Sequence, residues 1–248
     1  MVLDSKSLLQ LLEISRSFSI GGSVILERFI EGPEISVHTF SSNGSAKIVA
    51  ITDRISHALS PYIGSIHRHI FPSSLSREKK EEVKHLVEKI LHILKIENGP
   101  TYFQIVYSLE GPKIIEVAFR LDGCHMWKLL KLVTGTDLLQ ETINLSLGQE
   151  VNLSNISTED NANSAGILEF MSVKTESRIS EIRGFEEAKA LDGIDEINFY
   201  FSKGQRVKLL HGVLEKIGYI IATGENRESA MKSIEKSKQI LKVDVKEI

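Results

Sequence analysis

The sequence predicts an α/β chain of the α+β kind, with an antiparallel sheet flanked by helices and then a small α+β unit. Three observations predict it. Runs rich in β-branched residues follow one another across short turn sequences, as antiparallel strands do. Amphipathic runs with helical period lie between recognisable caps and glycines. A polar stretch after residue 151 separates these from a second, shorter set of strands ending in a helix.

Taken in order, SKSLLQLLEISRSF carries Leu8, Leu9, Leu11, Leu12 and Ile14 ahead of Gly21-Gly22, which reads as an amphipathic helix stopped by glycines. SVILERFI, PEISVHTF and SAKIVAITDRI are expected to be consecutive antiparallel strands, parted by Glu31-Gly32-Pro33 and by an Asn43-Gly44 hairpin signal. HRHIFP, residues 67–72, reads as a loop leading to a helix. That helix starts after Ser76 as N-cap, repeats Val83, Leu86, Val87, Ile90, Leu91 and Leu94, and ends at Asn98-Gly99-Pro100. TYFQIVYSL and PKIIEVAFR read as two strands joined through Glu110-Gly111, followed by helices around 126–133 and 137–147. Residues 152–165, rich in Asn and Ser, read as a linker or mobile loop between a domain at 1–151 and a small α+β domain at 166–248. In the latter, GILEFMSV, DEINFYFS and IGYIIATG read as strands and 226–241 as a helix.

Thirty Lys and Arg against thirty-three Asp and Glu give a net charge of −3 and an isoelectric point near 6.3. That balance lacks the basic footprint of a nucleic-acid binder. The lone Cys124 makes neither an intrachain disulfide nor a thiolate zinc site, and suggests a reducing compartment. No apolar run approaches 18 residues, so no membrane partner is expected and the cytoplasm is the expected location.

Residues with chemistry fall in four segments: 25–37, 67–72, 103–107 and 114–125. In VILERFIEGPE a hydrophobic run ends in a turn bearing two carboxylates, Glu31 and Glu34, which alone is a strand with solvated acids. In IIEVAFR the two-residue period of a strand puts Glu116, Ala118 and Arg120 on one side, which alone is a surface ion pair. Gln104 lies on the neighbouring run. His67 and His69 have no third ligand at recognisable spacing, so they do not read as a metal site. No base is assignable to Cys124 as a nucleophile.

Together these segments resemble the second half of an ATP-grasp ligase, closest to the carboxylate–amine ligases that include bacterial L-amino acid ligases, with kinship to carbamoyl phosphate synthetase. The resemblance extends over nearly the whole chain. It implies an ATP-dependent ligase in which a carboxylate is phosphorylated to an acyl phosphate and then attacked by an amine. It implies that 27–34 is an adenine-binding hinge, with Glu27, the Arg28 carbonyl, the Ile30 amide and Glu34 as nucleotide-binding groups and Glu34 on the ribose. Glu116 and Gln104 would hold Mg²⁺, or Mn²⁺ in its place, on the phosphates. Arg120 would neutralise developing charge, His69 would contact substrate near the acyl phosphate, and Asp122 and His125 would border the amino-acid substrate. Ala118 stands where family members usually have Asn, and Asp122 where many have Gly.

The glycine-rich loop and two lysines that clamp phosphate in such enzymes precede the hinge and are not found in this sequence. The isolated chain is therefore expected to be a poor catalyst. The expected partners are ATP, small carboxylate and amine substrates, and either a second copy of the chain or a complementary N-terminal half. The alternative is a noncatalytic nucleotide-binding or interaction module; a complete enzyme of another class on the same scaffold is a third reading.

Overall fold

The computed structural model describes residues 5–57, 64–208 and 215–247. The chain forms two units, Met1–Glu31 and Gly32–Ile248. The first holds helix α1, Ser5–Phe18, as expected; the Arg16 guanidinium donates to the Gly22 carbonyl at 3.3 Å beyond its end. The strand expected over residues 23–30 does not form. A strand requires a ladder partner, and among the described residues none pairs with it; Ile25, Leu26 and Phe29 are exposed.

In the second unit, eight antiparallel strands form one sheet: β1 Glu34–Ser42, β2 Ser45–Ser56, β3 Ile66–Phe71, β4 Gly99–Ser108, β5 Gly111–Ala118, β6 Ala165–Val173, β8 Ile194–Phe199 and β10 Glu215–Gly224. Their order is β5-β4-β1-β2-β3-β6-β10-β8. A three-stranded sheet joins β7 Ser177–Arg183, β9 Arg206–Val207 and β11 Lys242–Glu247 in the order β11-β7-β9. Strands from both sides of residues 152–165 thus share the main sheet. That stretch is held by hydrogen bonds: Lys47 Nζ donates to the carbonyls of Leu153 and Ile156, and the Ile51 amide donates to Glu159 at 3.1 Å.

Alternation along β1 sorts the two faces. Ile35 and Val37 join Ile51, Phe103 and Ile105 beneath helix α2, Arg77–Ile93, whose Val83, Val87 and Leu91 are buried and whose N-cap is Ser76, as read from sequence. Helices α5, Phe185–Lys189, and α6, Arg227–Ile240, cover a core that includes Ile70 and Ile167. The core of the opposite face includes Phe71, Leu168, Phe170 and Tyr219 under α3, Met126–Thr134, with α4, Leu138–Ser146, beside it. Along β1, the intervening Glu34, Ser36 and His38 mark that same opposite face as polar toward β4 and β5.

Two readings of local structure need correction. HRHIFP is strand β3 rather than a loop, because its two histidines mask the alternation that its pairing with β2 and β6 imposes. The strand carrying Glu116 ends at Ala118, so Arg120 lies in the bend after it. Gly32 is required at the entry to β1: its φ is +151°, and a Cβ there would meet the Tyr107 carbonyl oxygen at 2.3 Å.

Candidate functional site

The polar face is assembled by ladder register. Ser36 stands opposite Gln104, and Gln104 opposite Glu116, so these three side chains form a row across β1, β4 and β5. Arg54 stands opposite His69 across β2 and β3, on the same face. One Glu34 oxygen, Oε2, accepts from Gln104 Nε2 at 3.2 Å, Arg54 Nη1 at 3.4 Å and Ser56 Oγ at 3.4 Å. The amide nitrogen of Gln104 is thereby committed to Glu34, and its oxygen remains a candidate ligand. The Glu116 carboxylate pairs with Arg120 at 3.5 Å, with both side chains about half exposed, and Arg120 also donates to the Leu121 carbonyl at 2.9 Å.

Inward of this row, polar groups are buried without partners. His69 is 0% exposed, and neither ring nitrogen has a hydrogen bond; the same holds for His38 Nε2, Ser36 Oγ, Arg54 Nε and Asp122 Oδ2. Burial is the main reason His69 is pushed down to about 3, with His38, Arg54 and Lys216 adding to it and Asp122 opposing. His38 is lowered by burial as well. At neutral pH both imidazoles are uncharged. A cavity of about 10 Å³, room for about one water, lies among His38, Thr101, Tyr102, Arg120 and Asp122.

The loop after Arg120 turns its groups inward. Asp122 is buried, and its Oδ1 accepts the Cys124 amide at 3.1 Å. Burial, first, and then Asp122 push the Cys124 thiol up to about 11, so the thiol stays protonated at neutral pH. His125 caps α3 at φ +57°, stacks on Tyr219 with ring centroids 4.5 Å apart, and has Nε2 2.9 Å from the Tyr200 hydroxyl. Lys128 bridges Glu196 and the Tyr219 hydroxyl beneath it.

The structure therefore brings Glu34, Gln104 and Glu116 together with Arg120, and sets His69 and Asp122 nearby as buried groups. Glu27 and Arg28 are exposed and Ile30 half-buried in the other unit, in a segment without helix or strand. His38, Arg54, Tyr102, Lys216, Tyr200 and Tyr219 were not singled out from sequence. The alternation Glu34, Ser36, His38 against Ile35, Val37 carried the signal for His38, whereas Lys216 has no such mark. Among the described residues no group of three His, Cys, Asp or Glu could hold a metal. The donors Gln104 and Glu116 fit a Mg²⁺ that arrives with nucleotide phosphates, which keeps water and phosphate ligands and needs only one or two side chains, rather than a dedicated cage.

Residues 9–127 match the family model described as ATP-grasp domain, and residues 169–246 the one described as L-amino acid ligase C-terminal domain 2. A phosphoribosylamine–glycine ligase from Methanococcus maripaludis is 26% identical over 227 residues, covering 86% of this chain and 50% of its own length. The L-amino acid ligase of Bacillus licheniformis superposes with a TM-score of 0.84 at 19% identity, covering 98% of this chain and 61% of that one. The biotin carboxylase domain of Hydrogenobacter thermophilus 2-oxoglutarate carboxylase, a dimer solved with MgADP, ADP and bicarbonate, superposes at 0.75 and 18% identity, covering 97% of this chain and 53% of that one. These superpositions show the shared fold. The chain spans about half the length of the curated relatives it matches. Among the described residues no helix is long and apolar enough to cross a membrane.

Proposed function

From the premise that this chain belongs to the ATP-grasp superfamily, we propose that it is the ATP-binding part of an ATP-dependent carboxylate–amine ligase that works through an acyl phosphate. The observation that carries this reading is the group on one sheet face in which Glu34 accepts from Gln104, Gln104 stands opposite Glu116, and Glu116 pairs with Arg120. That order would suit a nucleotide's ribose, phosphates and transferred group if Glu34 is the ribose acceptor, Gln104 and Glu116 the oxygen ligands and Arg120 the guanidinium on the transferred group. Glu34 accepts from the ribose hydroxyls, and the backbone of Arg28 and Ile30, with Glu27 beside them, binds the adenine edge. Gln104 and Glu116 hold Mg²⁺, which supplies neutralisation of phosphate charge when bound with ATP. Arg120 stabilises charge that develops on the transferred group. Asp122 and His125 shape the acceptor side, and His69 backs it as a neutral group.

The matched segments support two sequence modules, 1–151 and 166–248, joined by 152–165 while sharing a sheet. In this reading the assembly is a homodimer or a pairing with a complementary N-terminal half, and the chain works in the cytoplasm. The test is calorimetry of ADP binding with and without Mg²⁺. Weak binding that Mg²⁺ strengthens, and that Glu116→Ala makes insensitive to Mg²⁺, supports the reading. No ADP or adenosine binding at millimolar ligand, with the chain folded, refutes it.

A further inference from the structure

Strand β10 carries a bulge between Lys216 and Gly218, where Ile217 is the extra residue. A bulge changes the parity of a strand and re-aims a side chain. Lys216, opposite Ser172, and Tyr219, opposite Phe170, therefore share a face although they are three residues apart, while Ile217 sinks into a separate core with Val173 and Ile179. The bulge depends on Gly218, whose Cβ would lie 2.2 Å from the Asn198 carbonyl oxygen. Its effect is to bring the Lys216 ammonium to 3.7 Å from the centre of the Phe170 ring, on the face that carries His69.

Lys216 is half-buried there, and among the described residues no carboxylate lies within ion-pair distance of it. Burial is the main influence lowering its proton affinity; Arg54 acts the same way, and Cys124, Asp122 and Glu215 oppose it. Beside it, Arg54 is nine-tenths buried and paired with Glu34 at 3.4 Å, its Nε and both His69 nitrogens lack partners, and Asp122, one of the acids acting on Lys216, is itself held by the Cys124 amide. An ammonium partly withdrawn from water without a counter-ion carries a desolvation cost that an anion on its remaining open side would offset.

We propose that Lys216 is an anion-binding residue of this face, contacting an oxyanion of either the carboxylate substrate or the phosphoryl group, with Arg54 and His69 behind it. The oxyanion's source rests on the ligase reading; the site itself does not. The full chain is titrated with inorganic phosphate and, separately, with acetate, in the absence of nucleotide and Mg²⁺, while NMR follows the His69 ring and the Lys216 amide. Saturable shifts with phosphate alone assign the site to the phosphoryl group, and with acetate alone to the carboxylate. Lys216→Met keeps the chain over the Phe170 ring without charge and should weaken the anion that binds about tenfold or more, while Lys216→Arg restores it to within about threefold. Unchanged thermal midpoints establish that both variants are folded. No saturable shift with either anion, or wild-type affinity in Lys216→Met, overturns the proposal. Anion binding that persists where ADP binding fails leaves the site standing and removes the ligase reading.

Discussion

Replacing His69 by Leu should make the protein less sensitive to acid. In the folded chain the imidazole is fully buried and its pKa falls from the ordinary 6.5 to about 3. The unfolded chain takes a proton below about 6.5, and the folded chain does not until about 3. Stability from this group is therefore fully present above 6.5 and is lost as pH falls toward 3. Each pH unit in that window costs about 1.4 kcal/mol, so by pH 4.5 the loss is about 3 kcal/mol, a large share of a typical 5–15 kcal/mol total. Because neither ring nitrogen has a partner, an apolar residue of similar volume leaves no new orphan, and His69→Leu should be neutral or stabilising at pH 7. Urea unfolding of both proteins at pH 7.5, 6, 5 and 4.5 measures the difference. His38, lowered by burial in the same direction, keeps some acid sensitivity in the variant, so the quantity to read is the gap between the two curves. Curves that fall in parallel, or an NMR titration of His69 centred near 6.5, would refute the reasoning.

Glu116→Ala should abolish the Mg²⁺ dependence of ADP binding yet change unfolding free energy by less than about 1 kcal/mol, since its pair with Arg120 is half exposed; denaturation and calorimetry on the same sample check both. Gln104→Glu places a second carboxylate where an amide now donates to Glu34 at 3.2 Å, so it should destabilise the free protein by about 1 kcal/mol and recover that on adding Mg²⁺ and ADP, seen as a larger ligand-induced rise in thermal midpoint than in wild type. Gly32→Ala forces a Cβ against the Tyr107 carbonyl and should cost roughly 1–3 kcal/mol in urea unfolding. A wild-type midpoint would show that the turn relaxes freely.

The main helices and most strands were legible because each rests on local pattern: α2 on Ser76 and its 3.6-residue period, β1 and β2 on alternation around Asn43-Gly44. What failed depends on partners that sequence does not display. Residues 23–30 have strand composition and, among the described residues, no ladder to join, whereas β3, with His67, Arg68 and His69, is a strand because β2 and β6 flank it. At the site, the spacing of Glu116 and Arg120 survived the end of the strand because a four-residue separation across a bend still brings them to 3.5 Å. Lys216 was illegible for a different reason. Its face is decided by a bulge, which breaks the two-residue parity on which every facing argument from sequence depends.

The pairing of charges on the open face bears on the order of events in the ligase reading. Arg54 is tied to Glu34 and Arg120 to Glu116, so neither guanidinium is available to an incoming anion at full strength. The Arg120 pair is exposed and worth less than about 1 kcal/mol, whereas Arg54 is nine-tenths buried with further hydrogen bonding to Ser56. If Glu116 held a Mg²⁺ arriving with nucleotide, its carboxylate would be drawn from Arg120, whose guanidinium would then be available to phosphate. Arg54 has no such release, because a ribose on Glu34 adds donors without withdrawing the carboxylate. In the ligase reading, Arg120 is thus the arginine whose charge a metal would gate, and Arg54 the one that would stay tied to Glu34 and Ser56 throughout.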